Sequence, residues 1–492
     1  MNLGRNLSAA VLGTTWAALI GFLVVPIYVK YLGIENYGLI GFFAITQAML
    51  QLLDMGLATT LNREVARCAA TGQMDEGRRL MHSLAVVYWA TAALLGLLVF
   101  ILAPLIVGIW LSPKQLELTA MTNAVQLMGV VIACRWPIGL YQGALMGMQR
   151  LVVSSGISAA MVTIANLGAV AVLSWWSRTI EAFFMWQAAI AFLHVLLMRH
   201  AAWKILGHGS QATSFDFGLL KKIWRFSAGV SAIAIASVLL TQLDKILLSR
   251  MLALDEFGKY VLAGALASSL YVLLTPTFNV LYPKMSALIA KGEASELLGL
   301  YKNGTRVFVS LLFPIAIAVA FYSRDVVMVW TGSEELALSV GPLVSLLILG
   351  TACNGVMHFP YALQLAHGRA RLALSITLML VVAIVPLLIF LTLRYGAIGG
   401  AAAWLTVNVS YVLLGTWMTH RVLLPDEGSR WLIEDVGQPL LLSLLITWTG
   451  WRIFRSDGEP IWNLVAATIT GLVAIAANGR FVARKALAGL RS

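Results

Sequence analysis

The stretch Leu32-Gly-Ile-Glu-Asn-Tyr-Gly38 returns 220 residues later as Leu252-Ala-Leu-Asp-Glu-Phe-Gly258, in a chain that is hydrophobic almost from end to end. The register then holds. Gly72 answers to Gly292, Glu76 to Glu296, Trp110 to Trp330, Leu116 to Leu336 and Leu118 to Leu338, before a slight drift pairs Pro137 with Pro360 and Arg150 with Arg371. Two homologous membrane halves can rock against each other and open a central site to either side of a bilayer in turn. The repeat therefore points to an alternating-access transporter.

Composition supports the membrane part independently. Of 492 residues, 60% are hydrophobic and only 11% charged, and the mean hydropathy is +0.86, far outside the range of a soluble domain. Roughly 20 helical residues span a bilayer core, and the apolar runs divide into about 14 segments of that size. The expected fold is an all-α integral membrane protein built from two parallel six-helix repeats plus two C-terminal helices. The lobes are expected over 1–200 and 223–420, joined by an interfacial linker at 201–222, with the extra pair and a cytoplasmic tail in 421–492.

Short cytoplasmic loops retain Lys and Arg. With the N-terminus inside, 23 of the 34 basic residues fall on the inner side and 9 on the outer, leaving Arg135 and Lys245 within spans. Both termini are thus expected in the cytoplasm. Six spans per half make the halves parallel copies rather than inverted ones.

The net charge of +12 follows from these inner loops and from anionic lipid, with no need of a nucleic-acid partner. Trp110, Trp175, Trp176, Trp330 and Trp462 mark outer span ends, and Trp203, Trp224, Trp417 and Trp431 inner ones, as an aromatic belt requires. Cys68, Cys134 and Cys353 have neither metal nor redox spacing. The first apolar run is too long for a cleaved signal and is expected to stay as a span. Between the halves, Phe215, Phe217, Leu219, Leu220, Ile223 and Trp224 mixed with Lys221, Lys222 and Arg225 read as an interfacial helix. There is no Gly-x-x-x-x-Gly-Lys-Ser/Thr phosphate cradle, so ATP is not the direct fuel.

Polar groups inside spans locate the chemistry, because a charge at the bilayer centre must face protein or water. Gln47, Gln51 and Asp54 share one face of span 2 (Tyr37 to Leu61), and Asn62 continues it toward Arg63. Span 7 (Ile223 to Leu248) carries Ser237, Thr241, Asp244 and Lys245, and span 10 (Val340 to Leu365) carries Asn354, His358 and Tyr361. Arg135 stands near the inner end of span 4. Interhelical hydrogen bonds and local ion pairs are the competing reading, and they suit the span 10 stripe and His194 best. Asp54, Arg135, Asp244 and Lys245 suit a cavity lining. Adding 220 to Asp54 gives Leu274, and subtracting it from Asp244 and Lys245 gives Val24 and Val25. The halves share a frame and not a site, which fits a substrate without two-fold symmetry.

The stretch Leu32 to Arg67, LGIENYGLIGFFAITQAMLQLLDMGLATTLNREVAR, resembles the opening of the Wzx-type polysaccharide transporters, the O-antigen or lipid-linked oligosaccharide flippases. The Leu-Gly-x-x-x-Tyr-Gly turn, Asp54-x-Gly56-Leu57 and Arg63 carry the likeness, with Asp255-Glu-Phe-Gly258 and Tyr282-Pro283-Lys284 as its second-half echo. The resemblance implies the MATE-like fold of the multidrug/oligosaccharidyl-lipid/polysaccharide exporter superfamily. It also implies a bacterial inner membrane and outward flipping of undecaprenyl-diphosphate-linked oligosaccharide, alongside a polysaccharide polymerase and chain-length machinery.

A diphosphate headgroup with sugars needs charge-assisted and neutral hydrogen bonds to cross hydrocarbon. Arg135, Lys245, Arg63, Gln47 and Gln51 are the candidate substrate ligands, with Asn354, His358 and Tyr361 behind them. Asp54 and Asp244 are the candidates for coupling to H⁺ or Na⁺. No cofactor, metal site or catalytic residue is expected. The alternatives are a drug or cation antiporter of the same superfamily and, further off, a polytopic enzyme acting on polyprenyl-linked glycans.

Overall fold

The computed structural model describes residues 3–54, 56–114, 116–207, 215–218 and 242–489. These residues are helical throughout, with short turns and no strand among them. They form two compact units, Met1–Gly258 and Lys259–Ser492. A backbone in lipid must satisfy its own hydrogen bonds, which leaves helices as the available form for segments this apolar. The outward faces are apolar too: Leu94, Leu97, Ile101 and Leu105, at helical spacing on Met74–Leu105, are all more than half exposed.

Among the described residues, ten helices are long and apolar enough to cross a membrane. The count is eleven when Leu254–Ser268 and Tyr271–Lys291, bent by 45°, are taken as one span. Helix Ala370–Leu423 contains two of the expected spans, divided at Gly396, where φ is 60°. Helix Gln438–Phe454 has 17 residues and meets the expected thirteenth span. Residues 223–241 of the expected seventh span, including Ser237 and Thr241, lie outside the described residues, as do residues 219–225 of the expected interfacial helix. Helix Ile180–Leu206 carries the chain beyond Arg199 before the linker begins.

Two expected spans are interrupted. Instead of one helix from Tyr37 to Leu61, helix Ile34–Gln51 ends in a tight turn at Leu52–Asp54. Gly56 then takes a left-handed conformation (φ 70°), and a separate helix runs over Leu57–Thr71. A residue with a Cβ would be strained at Gly56, which fixes where the break falls. Helix Leu118–Arg135 likewise gives way to Ile138–Gly147 across Trp136 and Pro137, where proline supplies no N–H to continue the ladder.

The repeat is visible in the turns. Gly72 and Gly292 cap their helices in the left-handed region at φ 74° and 75°. The next N–H closes the turn in both, from Gln73 to the Cys68 carbonyl at 2.9 Å and from Glu293 to the Leu288 carbonyl at 3.0 Å. Further on, Arg150 N–H reaches the Leu145 carbonyl and Arg369 N–H the Gln364 carbonyl, each at 2.8 Å. By turn geometry Arg150 therefore corresponds to Arg369, an offset of 219, and not to Arg371. The motif that opens each repeat is packed backbone to backbone inside the first unit. A Cβ on Gly38 would stand 2.5 Å from the Leu254 carbonyl oxygen, and one on Gly258 would collide with that of Ile34.

Candidate functional site

A cavity of about 710 Å³ lies within the first unit. Helix Ile34–Gln51 and the turn after it contribute Gln47, Gln51 and Asp54, and helix Leu118–Arg135 contributes Arg135 at its last residue. Gln142, Asn166, Gln187, His194 and Tyr28 complete the polar lining from four other helices.

Arg135 is the cation at the centre of this set. Its Nη1 donates to Gln47 Oε1 at 2.9 Å and its Nη2 to Gln187 Oε1 at 2.8 Å, while the guanidinium carbon stands 5.4 Å from the Phe43 ring centroid. No carboxylate is within ion-pair distance of it among the described residues. A guanidinium has five N–H donors. Two are taken by glutamines, so three are left for whatever enters the cavity. Gln187 is buried and its own Nε2 donates to the Ala165 carbonyl at 3.4 Å, which orients its oxygen toward Arg135.

Asp54 sits where the helix is broken. Tyr88 O–H donates to its Oδ1, and the Ala58 N–H donates to Oδ2 at 3.5 Å. The break thus turns the carboxylate toward donors of the next helical segment and of helix Met74–Leu105. Tyr28 O–H bonds the Asn166 side-chain oxygen at 3.1 Å, and Gln142 Nε2 donates to Ser158 Oγ at 3.0 Å. His194 presents a buried Nε2 with no hydrogen-bond partner among the described residues.

Gln47, Gln51, Asp54 and Arg135 are thus brought together, and the other sequence candidates lie elsewhere. Arg63 is on the exposed face of Leu57–Thr71, 2.7 Å from Glu64, which also pairs with Arg67 at 2.8 Å. Burial raises the Glu64 carboxyl, but hydrogen bonds from Arg67 and Arg63 outweigh it and hold the group below its ordinary range. Lys245 Nζ is 3.9 Å from the buried Asp244 carboxylate, and neither lines the cavity. Asn354, His358 and Tyr361 belong to the second unit. Asn354 Nδ2 donates to Asn408 Oδ1 at 2.9 Å, His358 Nδ1 lies 3.3 Å from the Asn354 carbonyl, and Tyr361 stacks on Phe278 with centroids 5.7 Å apart.

Sequence reading passed over Gln187, Gln142, Asn166 and Tyr28. Its one available signal was that Gln187 and His194 fall seven residues apart, on one face of the otherwise apolar span Ala182 to Met198.

A helical, multi-pass chain built from two repeated units has the fold of solved flippases and MATE transporters. The fold matches a solved structure of the lipid II flippase MurJ in an inward closed conformation, with a TM-score of 0.75 at 14% identity, over 97% of this chain and 99% of that one. It also matches an inward-facing multidrug resistance MATE transporter at 0.63 and 13% identity, over 82% and 95% of the two chains. A mutant of the Vibrio cholerae MATE transporter VcmN follows at 0.61 and 14%, over 85% and 95%. Within this fold, residues 3–289 match the polysaccharide biosynthesis protein family, and the chain belongs to that family. A Shigella flexneri protein described as "Putative O-antigen transporter" is 21% identical over 212 residues, 42% of this chain and 49% of that protein. The match spans about half of that relative's length. These relatives and fold neighbours are transporters and flippases rather than enzymes.

Proposed function

We propose that this protein flips polyprenyl-diphosphate-linked oligosaccharide units from the cytoplasmic to the outer leaflet of a bacterial inner membrane, by alternating access and with both termini in the cytoplasm. Arg135 carries the reading: a guanidinium with three uncommitted N–H donors and no carboxylate partner among the described residues, in a cavity whose polar lining also holds the amides of Gln47, Gln51, Gln142, Asn166 and Gln187. That combination receives a diphosphate, whose oxygens take charge-assisted hydrogen bonds. Gln47, Gln51, Gln142 and Asn166 offer donors and acceptors to sugar hydroxyls, and the lipid tail stays in the bilayer. Coupling to H⁺ or Na⁺ through Asp54 or Asp244 belongs to the same proposal, as do a polymerase and chain-length machinery as partners. No covalent bond changes.

The test is the leaflet location of polyprenyl-diphosphate-linked oligosaccharide in cells depleted of the protein, with wild-type or Arg135→Ala chains restored. Completed units should collect on the cytoplasmic leaflet and be cleared by wild type alone. Normal outward delivery without the protein would sink the proposal.

A further inference from the structure

The turn register established above maps the second unit onto the cavity of the first. At the offset of 219 set by Arg150 and Arg369, Tyr361 corresponds to Gln142, His358 to Gly139 and Asn354 to Arg135. At the offset of 220 set by Gly72 and Gly292, Phe278 corresponds to Ala58. Gln142, Gly139, Arg135 and Ala58 all line the first unit's cavity. The helix-to-helix linkage is repeated as well. Arg135 bonds Gln187 on helix Ile180–Leu206, and Asn354 bonds Asn408 beyond the Gly396 break of helix Ala370–Leu423. The same surface of the fold thus exists in both units with different chemistry.

In the second unit that surface is neutral and aromatic. Phe278 stacks on Tyr282 (centroids 5.8 Å, planes 7° apart) and on Tyr361 (5.7 Å, 25°), and the His358 ring meets it edge-on at 5.9 Å. Where the first unit has Arg135 and Asp54, the second has Asn354 and Leu274. The rings are not closed over. Tyr282 is 36% exposed, and Thr275 and Asn279 are exposed beside it at helical spacing. A polar edge of hydroxyl and amide groups flanking aromatic rings does not suit lipid tails.

We propose that this cluster is a sugar-binding platform, with Tyr282 and Tyr361 stacking on a pyranose ring of the transported glycan and Thr275 and Asn279 bonding its hydroxyls. A pyranose presents a face of C–H groups and a rim of hydroxyls. The negative face of an aromatic ring attracts the first, and polar side chains at the ring edge satisfy the second. The inference rests on the flippase reading and deepens it, giving the second unit a glycan contact of its own.

The full chain, in lipid nanodiscs, is titrated with undecaprenyl diphosphate and with the same lipid carrying the oligosaccharide isolated from the producing cells. Wild type should bind the sugar-bearing lipid about fivefold or more tightly, the range one or two ring contacts supply. Tyr282→Leu and Tyr361→Leu should each shrink that preference while bare-lipid affinity stays within about twofold, which also shows the variants to be folded. Tyr361→Phe should retain the preference. Equal affinity of wild type for the two lipids would overturn the platform, and so would Leu variants that lose both lipids equally or neither. Arg135→Ala should weaken both lipids alike. Its failure to do so, with the ring effect intact, would sink the diphosphate site and leave the platform standing.

Discussion

Arg135 Nη2 stands 2.8 Å from Gln187 Oε1, and through that contact a neutral side chain sets the direction of the cavity's cation. Removing the acceptor frees the guanidinium to turn without removing its charge. Gln187→Leu should therefore lower flipping by about ten- to a hundredfold, the worth of one hydrogen bond to a charged group, at unchanged protein level. Arg135→Lys should cost more, because one ammonium cannot reproduce the fork that bonds Gln47 and Gln187 together. Flipping rates of the two variants in reconstituted vesicles, normalised to inserted protein, check the order.

That relationship also marks the limit of what the sequence made legible. Bilayer-length apolar runs and the 220-residue echo were enough for helices and repeats, since lipid leaves the backbone few alternatives. Gln47, Gln51, Asp54 and Arg135 stood out because intramembrane polar groups are costly. Gln187 did not, because a single amide on an apolar helix looks the same whether it glues helices or orients an arginine. The break at Leu52–Asp54 was hidden for want of a proline, with Gly56 its one sign. Pairing Arg150 with Arg371 followed residue identity, whereas the turn is set by the positive φ shared by Gln149 and Gly368.

The opening motif tests packing. A Cβ on Gly38 would meet a carbonyl oxygen at 2.5 Å, and backbone cannot swing aside as a side-chain tip can. Gly38→Ala and Gly258→Ala should each cost about 1–3 kcal/mol, the usual penalty of overpacking. Gly264→Ala, with open space where its Cβ would go, should be neutral or stabilising by up to about 1 kcal/mol through helix propensity. Melting temperatures of the purified variants in one detergent would expose a wrong sign.

Glu64 gives a pH dependence outside the spans. Although burial raises its carboxyl, Arg67 and Arg63 bring it below its ordinary value of 4.5. A depressed carboxylate stabilises the fold above its unfolded value and loses that contribution as pH falls through the folded one. The melting temperature of wild type should thus drop more steeply below pH 4.5 than that of Glu64→Gln, and the two should run parallel above it. The difference should be small, since Arg63 and Arg67 are exposed. Parallel curves throughout would remove Glu64 from the acid response.

The last expectation concerns the second unit, where Arg306 Nε lies 2.5 Å from Oδ1 of the fully buried Asp435. This pair ties helix Ala294–Phe321 to the π-helical segment Trp431–Gly437, beside the stack of Tyr301 on Trp431. Removing only the cation takes the guanidinium from a fully buried carboxylate, whereas replacing both groups with apolar ones removes the desolvation cost as well. Arg306→Ala should destabilise by about 3–5 kcal/mol, and Arg306→Met with Asp435→Leu by far less. If the double variant melts as low as the single one, the pair is doing more than neutralising a buried charge, and its geometry is what holds the C-terminal helices to the second repeat.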